Sequence, residues 1–348
     1  MTVLTHPLVP PSKAKADAIR CVVRGVVPFI QSSPGLGKSS IVREIAQEGN
    51  LKVIDVRLSQ AAPEDLQGLP MRSMINGVEK AHFVPFNTFP LATDPIPEGY
   101  KGWLLFLDEF NSASRSVQAA AYKLTLDRLV GLHPLHPQVA IICAGNLSTD
   151  KAIVNNLGTA MQSRVSHILM ESSKPEWIEW ATKAGIDYRV IGFIEFQPSK
   201  LHLFNPDHNE MTFPAPRTWE FVSKLIIDTP DVSDMMSLIA GTIGMGVGFE
   251  FVKFCEEYTR IPKLSSIVND PKNIMIPMEI STRFAVLTML MAHVDLQNVK
   301  KVIQYVGRFE PDEQIIFYRG CLNRDPKLRE VDEVAAELVK VMRFVNSN

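Results

Sequence analysis

Residues 26–40 decide the fold of this chain, and they read VVPFIQSSPGLGKSS. The compact apolar run at 26–30 predicts a β-strand, and the residues from Lys38 onward have the pattern of a helix. Between them, Gly35 and Gly37 let the chain bend tightly, so that backbone N–H groups can point inward at an anion. The helix that follows adds the positive end of its dipole. The stretch therefore predicts a phosphate-binding loop between a strand and a helix.

The side chains of this loop suit a nucleoside triphosphate with Mg²⁺. Lys38 can reach the β- and γ-phosphates, and the Ser39 hydroxyl can bind Mg²⁺. Ser32 occupies the position of the usual first glycine, and serine adopts negative φ readily but few positive-φ conformations. A chance glycine-rich turn is the alternative interpretation. The residues predicted to contact the nucleotide are Ser33, Pro34, Gly35, Leu36, Gly37, Lys38, Ser39 and Ser40.

A second candidate motif consists of Asp108 and Glu109, directly after the apolar run at 104–107. In parallel α/β sheets, ligands bind outside the carboxyl ends of the strands, which places both carboxylates beside the phosphate loop. We predict that Asp108 holds Mg²⁺ through water, and that Glu109 orients or deprotonates the attacking water. By itself such a pair usually marks only a strand end. The preceding phosphate loop favours the catalytic interpretation.

A third candidate is Asn146, which with Gly145 follows the apolar run at 139–144. An amide at this strand end can sit between the γ-phosphate and the water. An asparagine that closes a turn is the alternative interpretation. The two earlier motifs favour the catalytic one.

The composition is that of a globular protein with room for two domains. The chain has 348 residues, of which 46% are hydrophobic and 21% charged, and its net charge is 36 − 38 = −2. These values exclude intrinsic disorder and argue against nucleic-acid binding driven by bulk charge. The four cysteines are far apart and form no CxxC pair, which predicts reduced core thiols in a cytoplasmic protein. These cysteines are Cys21, Cys143, Cys255 and Cys321.

Nothing in the sequence predicts a membrane segment. The longest uncharged apolar run, residues 235–249, is shorter than the roughly 20 residues that a span requires, and it contains four glycines. We interpret it as a buried, closely packed pair of helices. The N-terminus lacks the apolar core of a signal peptide.

Strand-like and helical stretches alternate up to about residue 170, which predicts a parallel sheet covered on both faces. The predicted strands are 26–30, 51–58, 103–107, 139–144 and 167–170, and the predicted helices are 38–47 and 117–130. After residue 174 the β-branched runs become rare. The helices predicted there are 177–184, 219–227, 232–240, 248–258, 281–293, 296–306 and 331–344.

The charge balance differs between these two parts of the chain. Residues 1–170 carry 16 basic and 13 acidic groups, or 16 − 13 = +3, which leaves 20 − 25 = −5 for the remainder. We therefore predict a nucleotide-binding α/β core at 1–172 and a helical region at 173–348.

Together these motifs resemble the AAA+ ATPases and, more narrowly, their MoxR-like branch. The segments that carry the narrower resemblance are PEDLQG at 63–68, LDEFN at 107–111 and PRTWE at 216–220. The resemblance covers about residues 10–260 and implies a P-loop αβα parallel-sheet core followed by an all-helical lid. It makes Lys38 and Ser39 the Walker A residues, Asp108 and Glu109 the Walker B residues, and Asn146 sensor 1.

The resemblance also implies roles for two arginines. Arg164, at the end of MQSR (161–164), stands at the arginine-finger position, although the phenylalanine that often follows the finger is Val165 here. Arg217 stands at sensor 2, at the start of the first lid helix. An arginine finger increases the rate of nucleotide hydrolysis roughly 10³–10⁵-fold, because it stabilises the charge on the γ-phosphoryl group. A surface arginine is the alternative interpretation for each.

Residues 69–90 form a predicted insertion in the core. They have the pattern of a hairpin with Asn76-Gly77 in a two-residue turn. Members of the branch carry such an insertion facing the pore of the ring, so we interpret it as a partner- or substrate-contacting element. A surface loop without that role is the alternative.

The function implied by the resemblance is remodelling or assembly of a protein partner, driven by ATP hydrolysis with Mg²⁺. The finger acts on a neighbour's nucleotide, which implies a homo-oligomeric ring, commonly a hexamer. The resemblance also implies a candidate for this partner, a von Willebrand A-domain protein. One alternative is a nucleic-acid-dependent motor or loader, for which Arg72 and Lys80 could supply a local basic patch. Another alternative is the motor subunit of a metal chelatase.

Overall fold

The computed structural model describes residues 6–150, 155, 157–207 and 210–345. They form two compact units. The first unit consists of the described residues up to 172 together with 205–207, and the second consists of 173–204 and 210–345.

The first unit contains a six-stranded parallel sheet, as the sequence predicts. The strands of this unit are β1 (Leu8–Val9), β2 (Val27–Gln31), β3 (Lys52–Arg57), β4 (Leu69–Ile75), β5 (Val78–Val84), β6 (Trp103–Asp108), β7 (Leu129–Val130), β8 (His133–Pro134), β9 (Val139–Gly145) and β10 (Val165–Met170). Its helices are α1 (Pro11–Val23), α2 (Lys38–Gly49), α3 (Pro63–Gln67), α4 (Arg115–Leu126) and α5 (Thr159–Gln162). The sheet order is β1-β10-β2-β9-β6-β3.

Both faces of this sheet are covered, which explains why β6 is a continuous apolar run. Leu105 and Leu107 pack with buried residues of α4 on one face. Leu104 and Phe106 pack with buried residues of α1 and α2 on the other face. Alternate side chains of a strand point to opposite faces, so a strand covered on both sides must be apolar at every position.

The strand order determines which loops meet at the carboxyl edge of the sheet. Strand β9 lies between β2 and β6, and all three run parallel. Gln31 of β2 pairs in register with Gly145 of β9, and Leu107 of β6 pairs with Cys143. The loop after β2, the residue after β9 and the last residue of β6 therefore lie side by side.

The helix predicted at 117–130 is too long. Helix α4 ends at Leu126, and the chain turns at Arg128, which has a φ of 54°. The Arg128 guanidinium donates hydrogen bonds to the backbone oxygens of His136 (3.1 Å) and Val139 (2.7 Å). Burial lowers the pKa of Arg128. These tertiary bonds end the helix and begin the small β7–β8 ladder, although the apolar spacing continues to residue 130.

The sequence-based prediction also did not include strand β1 and helix α1.

The hairpin at 69–84 forms a sheet of its own. Strands β4 and β5 pair antiparallel, with Ile75 opposite Val78 and Asn76-Gly77 between them. Asn76 and Gly77 have φ values of 53° and 78°, as a two-residue type I′ turn requires.

The second unit is helical, with no strand among its described residues. Its helices are α6 (Lys174–Lys183), α7 (Tyr188–Phe196), α8 (Pro216–Ile226), α9 (Met236–Ile243), α10 (Met245–Glu257), α11 (Leu264–Asn269), α12 (Ile280–His293), α13 (Val299–Val306), α14 (Pro311–Arg324) and α15 (Asp332–Val345). Helices α7, α11 and α14 were not predicted from the sequence. The helices of this unit pack around one apolar core. The fully buried large side chains of that core include Phe193, Trp219, Phe251, Tyr305 and Phe317.

The glycine-containing run at 235–249 forms two helices that break at Gly244, where φ is 89°. Gly248 of α10 packs closely against α9, because a Cβ placed there would lie 3.0 Å from the Ala240 Cα. Among the residues that the structure describes, no helix has the length and apolar character needed to cross a bilayer.

Candidate nucleotide-binding site

The loop between β2 and α2 has the geometry that its glycines predict. Gly35 and Gly37 have φ values of 81° and 84°, in the left-handed region that favours glycine. A Cβ on Gly37 would meet nothing within 4 Å, so this glycine is required for its backbone conformation and not for space. Ser32, at the position of the usual first glycine, does not have a positive φ and is fully buried.

The Lys38 ammonium lies over this loop. It donates hydrogen bonds to the Ser32 backbone oxygen (2.9 Å) and to Ser32 Oγ (3.1 Å). It also donates to Asn146 Oδ1 at 3.2 Å. The Lys38 side chain thus links the phosphate loop to the carboxyl end of β9, and the Ser32 hydroxyl contributes a contact that a glycine could not make.

Ser39 and Asp108 present oxygen atoms to each other at the start of α2 and the end of β6. Ser39 Oγ donates to Asp108 Oδ2 at 3.3 Å, and Asp108 Oδ1 accepts from the Glu109 backbone N–H at 2.8 Å. A hydroxyl and a carboxylate are hard oxygen ligands of the kind that Mg²⁺ prefers, with waters completing its coordination. These two residues therefore fit a Mg²⁺ ion.

Glu109 follows Asp108 with a left-handed backbone, at a φ of 55°. Its carboxylate accepts a hydrogen bond from the Ser59 hydroxyl. Ser59 lies in the short 3₁₀ turn Leu58–Gln60 directly after β3, and Arg57 of β3 pairs in register with Asp108. No local sequence pattern predicts this contact, because it depends on β3 lying beside β6.

A buried carboxylate, Asp150, lies next to the phosphate loop and was also missed. Ser33 Oγ donates to Asp150 Oδ1 at 3.2 Å. Asp150 is 6% exposed, and its Oδ2 has no hydrogen-bond partner in the described part of the chain. Burial raises the pKa of this carboxyl, while the Ser33 hydroxyl and the positive charge of Lys38 act in the opposite direction.

The backbone of Arg164 lies away from the phosphate loop of its own chain. It is an exposed residue between α5 and β10, and its backbone N–H donates to the Met161 oxygen at 3.0 Å. Val165 pairs in register with Val27, which lies four residues before Gln31 at the end of β2. At about 3.3 Å per residue, Arg164 lies roughly 13 Å or more from the carboxyl edge of the sheet.

Arg217 belongs to the helical unit, where it is the exposed second residue of α8. Two contacts within that unit fix this helix. Trp219 is fully buried, and its Nε1 donates to the Lys200 oxygen at 2.9 Å. At the other end of α8, the buried Arg189 guanidinium donates to the Ile226 oxygen at 2.9 Å. Arg217 is therefore carried on a well-anchored helix.

No protein-family model matches this sequence, and no curated protein matches it either. Some solved structures are similar over most of the chain. A RuvB mutant from Thermotoga maritima is 14% identical over 84% of this chain and 86% of its own, with a TM-score of 0.41. NtrX from Brucella abortus is 13% identical over 99% of this chain and 69% of its own, with a TM-score of 0.38. At these identities and TM-scores, the similarity supports no statement about function.

Proposed function

We propose that this protein is an ATP hydrolase of the AAA+ type. In this proposal residues 1–172 are the nucleotide-binding core, and 173–348 are the helical lid and C-terminal helices. One observation carries the proposal: Lys38, Ser39, Asp108 and Asn146 meet at the carboxyl edge of three adjacent parallel strands. A phosphate loop, a carboxylate and an amide in this arrangement are the parts that phosphoryl transfer requires.

Lys38 and the backbone of the loop would bind the phosphates of ATP. The Lys38 ammonium would exchange its contacts with Ser32 and Asn146 for contacts with the β- and γ-phosphate oxygens. Ser39 would hold Mg²⁺ directly, and Asp108 would hold it through water. When bound, the ion neutralises charge on the phosphates.

Glu109 and Asn146 would act on the attacking water. Glu109 would orient it or accept its proton, after its carboxylate leaves the Ser59 hydroxyl. Asn146, whose Oδ1 contacts Lys38, would place the water opposite the γ-phosphate. In-line attack then transfers the γ-phosphoryl group to the water, and ADP leaves.

Arg164 would act on the nucleotide of a neighbouring subunit. Its place at the amino end of β10, away from the loop of its own chain, supports this role. A finger supplied in trans requires a head-to-tail ring, and the resemblance makes a hexamer the proposed form. Arg217 would act as sensor 2 of the helical lid.

The client would be another protein, and we assign the β4–β5 hairpin to contact it. This hairpin exposes large apolar side chains, including Met71, Met74 and Phe83. Exposed apolar groups on a two-stranded ribbon favour a protein partner. Arg72 lies 3.8 Å from Glu79, so part of the basic charge is balanced locally, which argues against a nucleic-acid client. A MoxR-like remodelling role, with a von Willebrand A-domain protein as the client, follows from the sequence resemblance.

The direct test of nucleotide binding is Lys38→Ala, with Lys101→Ala as a matched control on an exposed lysine. We expect Lys38→Ala to weaken ATP binding at least about 10-fold, since charge-assisted bonds to phosphate are lost. Isothermal titration calorimetry with ATP and Mg²⁺ measures this change. The control should bind like the wild type. Equal affinity in both variants would contradict the proposed site.

The class of client is tested by the rate of ATP hydrolysis with and without single-stranded DNA. If the DNA clearly stimulates hydrolysis at physiological salt, the client is a nucleic acid instead of a protein.

A further inference from the structure

Asn111 lies just beyond the acidic pair, in the short 3₁₀ turn Phe110–Ser112, and is 2% exposed. Its side-chain amide forms hydrogen bonds with both main-chain polar groups of Asn146, the carbonyl oxygen and the N–H. Asn111 Nδ2 donates to the Asn146 oxygen at 2.7 Å, and Asn111 Oδ1 accepts from the Asn146 N–H at 3.2 Å. One buried side chain thus satisfies both backbone groups of the residue that contacts Lys38.

These two bonds continue the sheet beyond the place where its strands separate. The pairing of β6 with β9 ends at Leu107 opposite Cys143. Beyond that point, the Asn111 amide takes the place of a neighbouring strand for Asn146, because a side-chain amide offers the same donor and acceptor as a peptide group. Asn146 would otherwise carry unpaired backbone groups at a place where the chain leaves the sheet.

Gly145 makes this close approach possible. A Cβ at position 145 would lie 2.2 Å from Asn111 Oδ1 and 3.0 Å from Phe29 Cε2. Gly145 does not have a positive φ, so the glycine is required for space and not for its backbone conformation. Gly145, Asn146 and Asn111 therefore form one closely packed, hydrogen-bonded cluster.

We propose that Asn111 is a positioning residue that acts through Asn146. It holds the main chain of Asn146 so that Asn146 Oδ1 reaches the Lys38 ammonium and, in the reaction, the attacking water. Asn111 also follows Glu109 by two residues, so one short segment sets the place of both groups that act on the water. This inference rests on the proposed ATPase function.

The experiment compares Asn111→Ala, Asn146→Ala and the double variant, with Gln118→Ala as the matched control. Gln118 is also a buried amide, and its Nε2 donates to the Ala113 oxygen at 3.2 Å, but it bonds to no residue of the site. The readouts are kcat and KM for ATP, the Kd of a fluorescent ATP analogue, and the thermal midpoint. Gly145→Ala is a second variant that displaces Asn111 without removing it.

For Asn111→Ala we expect kcat to fall about 10-fold or more while the Kd changes by less than about 3-fold. The double variant should lose no more than about 2-fold beyond Asn146→Ala, since Asn111 acts through that residue. Gly145→Ala should reproduce the loss of kcat. Gln118→Ala should lower the thermal midpoint and leave kcat within about 2-fold of the wild type.

Two results would overturn the inference while the proposed function stands: an unchanged kcat in Asn111→Ala, or a double variant whose loss is the product of the single losses. If Asn111→Ala does not fold, the kcat of Gly145→Ala decides between the same outcomes. A wild-type protein that binds ATP but does not hydrolyse it overturns the proposed function itself, and with it the premise of the inference.

Discussion

Asp150 illustrates the cost of placing a carboxylate beside a phosphate loop. It is almost fully buried, it accepts a hydrogen bond from Ser33, and its second oxygen has no hydrogen-bond partner among the described residues. A buried carboxylate with incomplete hydrogen bonding is destabilising when it is ionised. Asp150 therefore favours its protonated form in the folded protein more than an exposed carboxyl does.

We predict that Asp150→Asn stabilises the protein at neutral pH and that the gain shrinks as the pH is lowered toward 4. Burial raises the pKa of Asp150 above its ordinary value of 3.8. The folded state then binds this proton more tightly than the unfolded chain. Stability consequently falls as the pH rises from the ordinary value through the raised pKa, and the full cost is present above it.

Thermal unfolding of both proteins between pH 4 and pH 8 measures this difference. The control is Asp127→Asn, which neutralises an exposed carboxylate and should change stability by less than about 0.5 kcal/mol at any of these pH values. An Asp150→Asn variant that is less stable than the wild type at pH 8 would show that the charge is favourable in this position.

The residues of the candidate site divide by how far the sequence could predict them. Lys38 and Ser39 follow a local motif, and Asp108 and Asn146 each follow an apolar run that predicts a strand. The contacts of Ser59 with Glu109 and of Ser33 with Asp150 join residues 50 and 117 positions apart. No local pattern marks such pairs, because they depend on the order of the strands in the sheet.

For helices and strands, hydrophobic periodicity predicts the element correctly where its burial is simple. It fails where tertiary contacts compete with the local pattern. Strand β6 is apolar from Trp103 to Leu107 because both faces of the sheet are covered, and the sequence predicts this strand correctly. The helix predicted through residue 130 was wrong, because Arg128 turns the chain and bonds to the backbone near β9. Short elements such as β1 are too brief to give a periodic signal.

Two glycines of α10 provide a matched test of the packing between α9 and α10. Gly248 lies against the backbone of Ala240, whereas a Cβ on the exposed Gly246 would meet nothing within 4 Å. We predict that Gly248→Ala destabilises the helical unit by about 1–3 kcal/mol through overpacking. Gly246→Ala should stabilise it by up to about 1 kcal/mol, since alanine has the higher helix propensity.

Denaturant unfolding followed by circular dichroism compares the two variants. The prediction concerns the sign of each change, so the opposite order would contradict the close approach of the two helices. Equal stabilisation by both alanines would show that α9 moves to accommodate a methyl group.

Along the whole chain, the charge is unevenly distributed between residues 1–170 and the remainder. The net charge of +3 for residues 1–170 belongs to the part with the phosphate loop, and −5 belongs to the remainder. The near-neutral sum of −2 therefore combines two unlike parts. It supports a protein client more than a nucleic-acid client, whose binding would depend on many basic contacts.

The proposed action of Arg164 in trans can be tested by mixing two inactive proteins. We expect Arg164→Ala and Lys38→Ala each to lose about 10³-fold or more in ATP turnover. In a random 1:1 mixed ring, about one quarter of the interfaces pair an intact site with an intact arginine, so activity should recover partially. Native mass spectrometry confirms that the rings are mixed. Mixed rings without recovery would contradict action in trans.

In the proposed mechanism, Glu109 activates water for ATP hydrolysis at a site built by Lys38, Ser39, Asp108 and Asn146. The most direct measurement follows bound ATP and released phosphate together, in wild-type protein and in Glu109→Gln, with Mg²⁺. We predict that Glu109→Gln binds ATP within about 3-fold of the wild-type affinity and releases phosphate at least about 100-fold more slowly. Phosphate release at the wild-type rate by Glu109→Gln would contradict this mechanism, and so would a wild-type protein that binds no ATP.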